Sequence, residues 1–434
     1  MAAEVGGVLP NPVANPFAVG VFFHFGSILC PAVWFVNGKK NWFETKVVSR
    51  FFRCKIGGGL RRIDKPRLHK QILSDPLMFL SVSPSVDSAA VAEEFGAVDC
   101  LVTGATGLLG NNVARLLLNR GYSVRALVRP HSRLGNRALE GLDLQLVPAV
   151  LADERSIQQA VNGAACVVHS AAIVQLGRRH LAEMRRVNVD STRLVAQAAR
   201  RAGARLIHVS SVDAIGLRPD GAPADEETAV GGLLECPYVI TKREAEAAVL
   251  EEVSRGLDAV IVNPVYMLGP WDWKPSSGRM LLEVGSGWGT FAPPGSNDFV
   301  DVRDVATGIL TAMQRGQTGR RYILGGHALS YLEAWKMFAR VAGRMQPLGS
   351  ALPAFVQAAG WLGDVASLFC MEEFSINSTA AGMSLLSHNF DCTRAQSELG
   401  YTYRALETTV YDAWHWFLDH GYARPMRTRP LLAR

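Results

Sequence analysis

At 434 residues and 48% hydrophobic, the chain has material for large buried cores and for two or three domains. Its formal charge of +6 is local rather than general: between Lys39 and Lys70 stand eleven Lys or Arg against Glu44 and Asp64, and no basic stripe for nucleic acid runs through the rest. Seven cysteines, odd in number and without a CxxC, exclude a disulfide framework and read as reduced thiols of a cytoplasmic protein, while ten histidines without HExxH spacing give no metal site.

Residues 1–95 read as an N-terminal extension. Pro16 to Val36 carries no Asp, Glu, Lys or Arg and is just long enough to cross a bilayer. Pro31 and His24 weaken a span, and Met1 to Asn15 lacks the basic start of a secretory signal. If 16–36 inserts, Lys39, Lys40 and the basic run behind them place the remainder on the cytoplasmic side. The other readings are disorder, or a dispensable leader before Met78. Membrane contact is expected only through 16–36.

The stretch from Asp99 to Arg129 then reads as strand, glycine turn, helix and strand. A short apolar run, Cys100 to Thr103, stops at Gly104, Gly107 and Gly110, and Val113, Leu116, Leu117 and Leu118 follow on one helical side. Gly104 permits the tight turn, Gly107 lets backbone amides approach a pyrophosphate, and Gly110 lets helix and strand pack closely. The cofactor contacts expected in this turn are Gly104, Thr106, Gly107, Leu108, Leu109 and Gly110.

Beyond it, "VRALV", "LQLVP", "CVVHSAA", "RLIHVSS", "DAVIVNP" and later "RYILGG" alternate with helical stretches such as Ser191 to Ala202 and Lys242 to Gly256. That alternation predicts an α/β fold: a Rossmann doubly wound parallel sheet over 96–263, with its ligand at the carboxyl edge. A smaller, mixed substrate-binding lobe follows over 264–434, some segments of which return to the sheet. Its first part is loop-rich and holds Trp271, Asp272, Trp273, Lys274 and Arg279, candidates for an aromatic and cationic pocket. The Trp and Phe residues of its later helices are expected in the core.

Ser210 and Ser211 end the strand "RLIHV", and "YVITK" sets Tyr238 four residues before Lys242, on one helical face. A free tyrosine titrates near pH ~10, so a neighbouring cation such as Lys242 is needed to favour its phenolate. Ser211 can donate a hydrogen bond to a substrate oxygen while Tyr238 transfers the proton.

"TGATGLLG", "HVSSVDAIG" and "YVITK", in this order, resemble the extended short-chain dehydrogenase/reductase family from Asp99 to about Tyr422. "VNPVYMLGPWDWKPSSGRM" and "NDFVDVRDVATGIL" are similar to its dihydroflavonol 4-reductase-like branch and to the hopanoid-associated sugar epimerases. The resemblance implies that Ser211, Tyr238 and Lys242 are the catalytic trio. It sets Asn188 of "RVNVDST" in the supporting position, makes Lys242 and Tyr238 cofactor contacts as well, and extends the cofactor site to Leu151, Ala171, Ala172 and Pro264. Ser211 is preferred to Ser210 because it stands five residues before Gly216.

Arg129 follows the second strand where NAD binders carry an acid, which favours NADP(H) over NAD(H), and Arg133 adds to the same side. Val150 departs from the family, which places an aspartate beside the adenine. His169 reads as a strand residue, and Glu226 and Glu227 as a solvated acidic loop. The expected activity is interconversion of a ketone and a secondary alcohol by hydride transfer on a small carbonyl or alcohol substrate. The rival is a nucleotide-sugar epimerase or dehydratase with a retained cofactor, and a third reading is a non-catalytic dinucleotide-binding protein. The sequence leaves a homodimer open.

Overall fold

A computed structural model describes residues 99–130, 137–177, 180–370 and 376–424. The N-terminal extension, the apolar stretch 16–36 and Arg133 lie outside them.

The strands begin with β1 (Asp99–Thr103), β2 (Ser123–Val128), β3 (Gln145–Pro148), β4 (Cys166–His169), β5 (Arg205–Val209) and β6 (Ala259–Pro264). Next come β7 (Tyr266–Leu268), β8 (Phe291–Ala292) and β9 (Ser296–Asp301), before β10 (Arg321–Leu324), β11 (His327–Ser330) and β12 (Gly349–Ser350). Among the described residues, seven of these strands form a sheet in the order β10-β6-β5-β4-β1-β2-β3, and each of its pairings is parallel.

The helices are α1 (Leu108–Asn119), α2 (Glu154–Val161), α3 (Leu181–Met184), α4 (Ser191–Ala202), α5 (Pro237–Ser254), α6 (Gly278–Gly285), α7 (Val302–Arg315), α8 (Tyr331–Val341), α9 (Pro353–Cys370), α10 (Ser378–Met383) and α11 (Leu406–Asp419). A π-helical segment, Arg185–Asp190, joins α3 to α4.

The strands are near-continuous apolar runs because both faces of the sheet are covered. Successive side chains point to opposite sides. Cys100, Val102, Ile207, Val260 and Tyr322 share one core with Val113 and Leu117 of α1 and Ile309 of α7. Leu101, Val167, Leu206 and Ile261 share the other with Ile157 of α2, Val195 of α4 and Val249 of α5. This is the doubly wound Rossmann arrangement that the alternation predicts. Strand order reverses between β4 and β1, so a crevice opens over the carboxyl ends of these strands.

Of the remaining strands, β7, β9 and β11 build a smaller mixed layer in which β7 runs parallel and β11 antiparallel to β9, and β8 pairs with β12 in a sheet of two. The core of the mixed layer holds Phe299 of β9 together with Phe338, Trp414 and Phe417, aromatic residues of the later helices that the sequence assigns to packing. Sharp helix starts keep it in place. Ser330 and Glu333 make a reciprocal capping box on α8, and Asp301 caps α7 while pairing with Arg303.

Candidate active site

The glycine turn leaves β1 through Gly104, whose φ of +73° suits glycine. A Cβ there would lie 2.8 Å from the Ala171 nitrogen, and one on Gly110 would collide with the Gly104 carbonyl. Gly107 caps α1 without a side-chain partner, and the first turn holds no acid, so the helix N-terminus is open to an anion. Thr106 is half-buried and Gly107 exposed, whereas the Leu108 and Leu109 side chains are buried in the core. Leu108 and Leu109 therefore offer backbone to a ligand, not side chain.

The adenosine side of the crevice is plainer. Arg129 is exposed directly after β2. Val150 is 48% exposed, its N–H donates to Ser156 Oγ, and Leu151 beside it packs on the core. The nearby Asp153 spends its carboxylate on the Ser156 N–H as the cap of α2. After β4, Ala171 donates its N–H to Thr103 Oγ1 at 3.3 Å, and Ala172 is exposed. His169 bonds Thr103 Oγ1 at 2.8 Å and Thr192 Oγ1 at 3.0 Å, and burial pushes its pKa down to about 3. It is a neutral strand residue. A glycine cradle, free helix amides and small residues after β4 together fit a dinucleotide.

Ser211 follows β5 and caps the short turn Val212–Ala214. Its Oγ accepts the Asp213 N–H at 3.2 Å and donates its own proton to the Asp213 carboxylate at 3.3 Å. Ser210 instead donates its N–H to the Val262 carbonyl, tying the strand end to β6. Pro237 opens α5 at the position where its missing N–H costs nothing, which sets Tyr238 in the first turn and Lys242 one turn later.

The Lys242 Nζ donates to the Val209 carbonyl at 3.1 Å and stands 5.9 Å from the Tyr238 ring centroid. Burial lowers its pKa to about 8 against the opposing pull of Glu246 and Asp213. Burial, then the Asp213 charge, pushes Tyr238 above its ordinary range, and the Ser211 hydrogen bond opposes them.

Asn188 lies in the π-helical segment and touches both walls of the site. Its Oδ1 accepts the Ile173 N–H at 2.7 Å, and its Nδ2 donates to Ile173 O at 2.9 Å and Thr241 Oγ1 at 3.2 Å. It ties the loop after β4 to the residue preceding Lys242. Pro264, buried at the end of β6, pairs with Leu324 of β10.

Sequence reasoning missed several groups. Asp213 lies 3.3 Å from Ser211 Oγ, and burial raises its pKa against the charges of His388, Lys242 and Arg243. A hydrogen-bonded chain runs from the half-exposed Arg321 through the buried Glu246 to Asn263, whose Nδ2 also donates to the Ser211 carbonyl at 2.9 Å. Its one sequence signal is that Glu246 stands a turn beyond Lys242.

Other candidates lie elsewhere. Trp271 and Trp273 pack against Trp416 and His420, with the Arg115 guanidinium 3.3 Å from the Trp271 ring centroid, so they join α1 to the smaller layer. Asp272 accepts the Gly278 N–H at the start of α6, while Lys274 and Arg279 are exposed. Glu226 is buried, not solvated. It accepts the Ile323 N–H of β10 at 2.8 Å and faces Arg394, whereas Glu227 is exposed and pairs with Arg394. Among the described residues no group of three His, Cys, Asp or Glu is arranged to hold a metal ion, and no helix is long and apolar enough to cross a membrane.

The profile of the NAD dependent epimerase/dehydratase family matches residues 100–325. Sterol demethylase protein B of Methylococcus capsulatus is 35% identical over 325 residues, 74% of this chain and 98% of the relative. A putative dihydroflavonol 4-reductase of Synechocystis is 35% identical over 336 residues, 75% of this chain and 96% of the relative. Among solved structures, a nucleoside-diphosphate-sugar epimerase from Pseudomonas aeruginosa is similar with a TM-score of 0.63 and 27% identity, covering 75% of this chain and 99% of that one.

Proposed function

Because the chain belongs to the NAD-dependent epimerase/dehydratase family, we propose that it is an NADP(H)-preferring reductase that interconverts a ketone and a secondary alcohol. The observation that carries this reading is the convergence of Ser211, Tyr238 and Lys242 over the carboxyl ends of β5 and β6, beside an open glycine turn. The turn from Gly104 to Gly110 and the small Ala171 and Ala172 hold the pyrophosphate and the chain of the cofactor. The nicotinamide supplies the hydride.

Ser211, its acceptor side filled by the Asp213 N–H, turns its proton from the Asp213 carboxylate to the ketone oxygen. Tyr238 gives that oxygen its proton in reduction and takes it back in alcohol oxidation. Lys242 supplies the positive charge beside the phenol and keeps N–H donors for the cofactor ribose. Asn188 acts as a positioning residue. Arg129 provides the guanidinium for a 2′-phosphate, which supports NADP(H), with NAD(H) as the weaker alternative. The likeness to a sterol demethylase supports an apolar substrate of lipid type.

A nucleotide-sugar epimerase with a retained cofactor uses the same trio, and the likeness to the Pseudomonas epimerase favours keeping it as the second reading. One experiment separates them. The full chain is purified, any bound dinucleotide is extracted, and NADPH and NADH are titrated separately by fluorescence. Exchangeable NADPH supports the reductase, and tightly retained NAD the epimerase. Binding of neither would end both readings.

A further inference from the structure

Helix α9 is apolar far beyond what its packing uses. Of its residues only Asp364 is charged, and Asp364 accepts the Ser378 N–H on the packed side. The helix rests on α10 through small residues. A Cβ on Gly360 would lie 2.6 Å from the Ala381 Cβ, one on Gly363 would collide with the Ile376 carbonyl, and Ser367 is buried.

The opposite side faces outward. Phe355, Trp361, Leu362, Leu368 and Phe369 are all more than half exposed, Phe369 by 84%. At one residue per ~100° they share an arc of about 140°. The loop leading into the helix adds two more outward apolar side chains, Leu348 and Met345, the latter 88% exposed. Contiguous apolar surface of this kind marks an interaction site.

Charge says what it fits. Lys336 and Arg340 stand four residues apart on α8, and Arg344, whose Nε donates to the Gly285 carbonyl, follows the helix and directly precedes Met345. An apolar helix side reached through a loop that opens on cations suits the boundary of an anionic bilayer. The side chains enter the acyl region while the cations meet phosphate. A helix that is not long and apolar enough to cross lies in that plane instead. The surface is also near the site. A Cβ on Gly382 of α10 would collide with the Leu234 side chain, and Leu234 stands four residues before Tyr238.

We propose that α9 and the loop before it dock this protein on an anionic phospholipid surface. The docking stands on burial and charge; only the arrival of an apolar substrate from that surface rests on the reductase reading.

The test is co-sedimentation of the full chain with vesicles of phosphatidylcholine, with and without phosphatidylglycerol. The parent is expected to bind the mixed vesicles, and a Trp361→Glu, Leu362→Glu double variant to lose at least about tenfold in partition coefficient. Arg340→Glu should lose several-fold on mixed vesicles alone. Unchanged NADPH titration and unchanged circular dichroism show that the variants are folded. Equal binding by parent and double variant overturns the proposal, whichever part of the chain carries that binding, and so does a parent that does not bind. A dimer in sedimentation equilibrium that the double variant dissolves also overturns it, giving the surface to a second copy. Vesicle binding without NADPH binding would sink the reductase reading and leave the docking surface standing.

Discussion

The Asp213 carboxylate lies 3.3 Å from the Ser211 hydroxyl, while the Asp213 backbone N–H donates to the same oxygen at 3.2 Å. One residue thus fixes the serine by its backbone and charges the site by its side chain. That charge raises the pKa values of both Tyr238 and Lys242. Asp213→Asn keeps the backbone contact and removes the charge, so both pKa values fall. Ketone reduction needs the protonated phenol and is lost as pH rises through its pKa. The alkaline limb of reduction should therefore move to lower pH by roughly half a unit to one unit. Alcohol oxidation should gain at lower pH by the same amount. Profiles of kcat/KM in both directions check this, and limbs that stay in place would remove Asp213 from the electrostatics of the site.

Lys242 carries a cost in stability that its function requires. Burial holds its pKa to about 8, whereas an unfolded lysine titrates near ~10.4. Below about pH 8 the folded chain holds this charge less well than water does, and the full penalty is present. Between about pH 8 and 10 the folded lysine loses its proton before the unfolded one, the unfolded state binds more protons, and stability rises with pH. Lys242→Met should accordingly unfold at higher urea than the parent at pH 7, by an amount up to about 3 kcal/mol, and the gap should close by pH 10. Turnover should vanish. A variant less stable at pH 7 would mean that the contacts to Val209 and Glu246 outweigh desolvation.

What the sequence shows depends on how far apart the partners lie. The turn from Gly104 to Gly110 and the Tyr238–Lys242 pair are local patterns whose spacing sets their geometry, so both are legible. The doubly wound sheet is legible because strand and helix periods alternate without interruption. Glu226 reads as a solvated acid because its acceptor role needs Ile323, on a strand that returns late to the sheet edge. Trp271 and Trp273 read as candidates for a pocket, and only the arrival of Arg115 and Trp416 assigns them to a seam. Asp213 hides for another reason. Its neighbour Ser211 is visible, but the burial that gives its charge reach is not. The outer side of α9 has the composition of a core helix, and exposure alone distinguishes it.

Asn188 offers a test of positioning as distinct from chemistry. Its amide satisfies both backbone groups of Ile173 and reaches Thr241. Asn188→Ala leaves those groups without their partner, at a cost of about 1–3 kcal/mol for each that stays dry. The loop bearing Ala171 and Ala172 also loses its tie to the helix of Lys242. Cofactor affinity and kcat should both fall by about tenfold, with the pH profile unchanged because no titrating group has been touched. Asn188→Asp, which keeps the acceptor for the Ile173 N–H but not the donors, should fall between. A kcat loss with cofactor affinity intact would point to direct contact with the reacting atoms instead.

Gly107 and Gly110 separate binding from packing within one turn. A Cβ on Gly110 collides with the Gly104 carbonyl, which is backbone and cannot swing aside, so α1 must move off β1. Gly110→Ala should cost about 1–3 kcal/mol in urea unfolding and should weaken NADPH binding as a secondary effect. A Cβ on Gly107 would lie 3.3 Å from the same carbonyl, a contact that a shift of a few tenths of an ångström relieves. Gly107 is exposed at the mouth of the turn, where its methyl group would occupy the approach to the helix amides. Gly107→Ala should therefore leave the unfolding midpoint close to that of the parent and still weaken NADPH by about tenfold or more. If Gly107→Ala binds NADPH as the parent does, the pyrophosphate does not pass over this turn, and the cofactor site proposed here is misplaced.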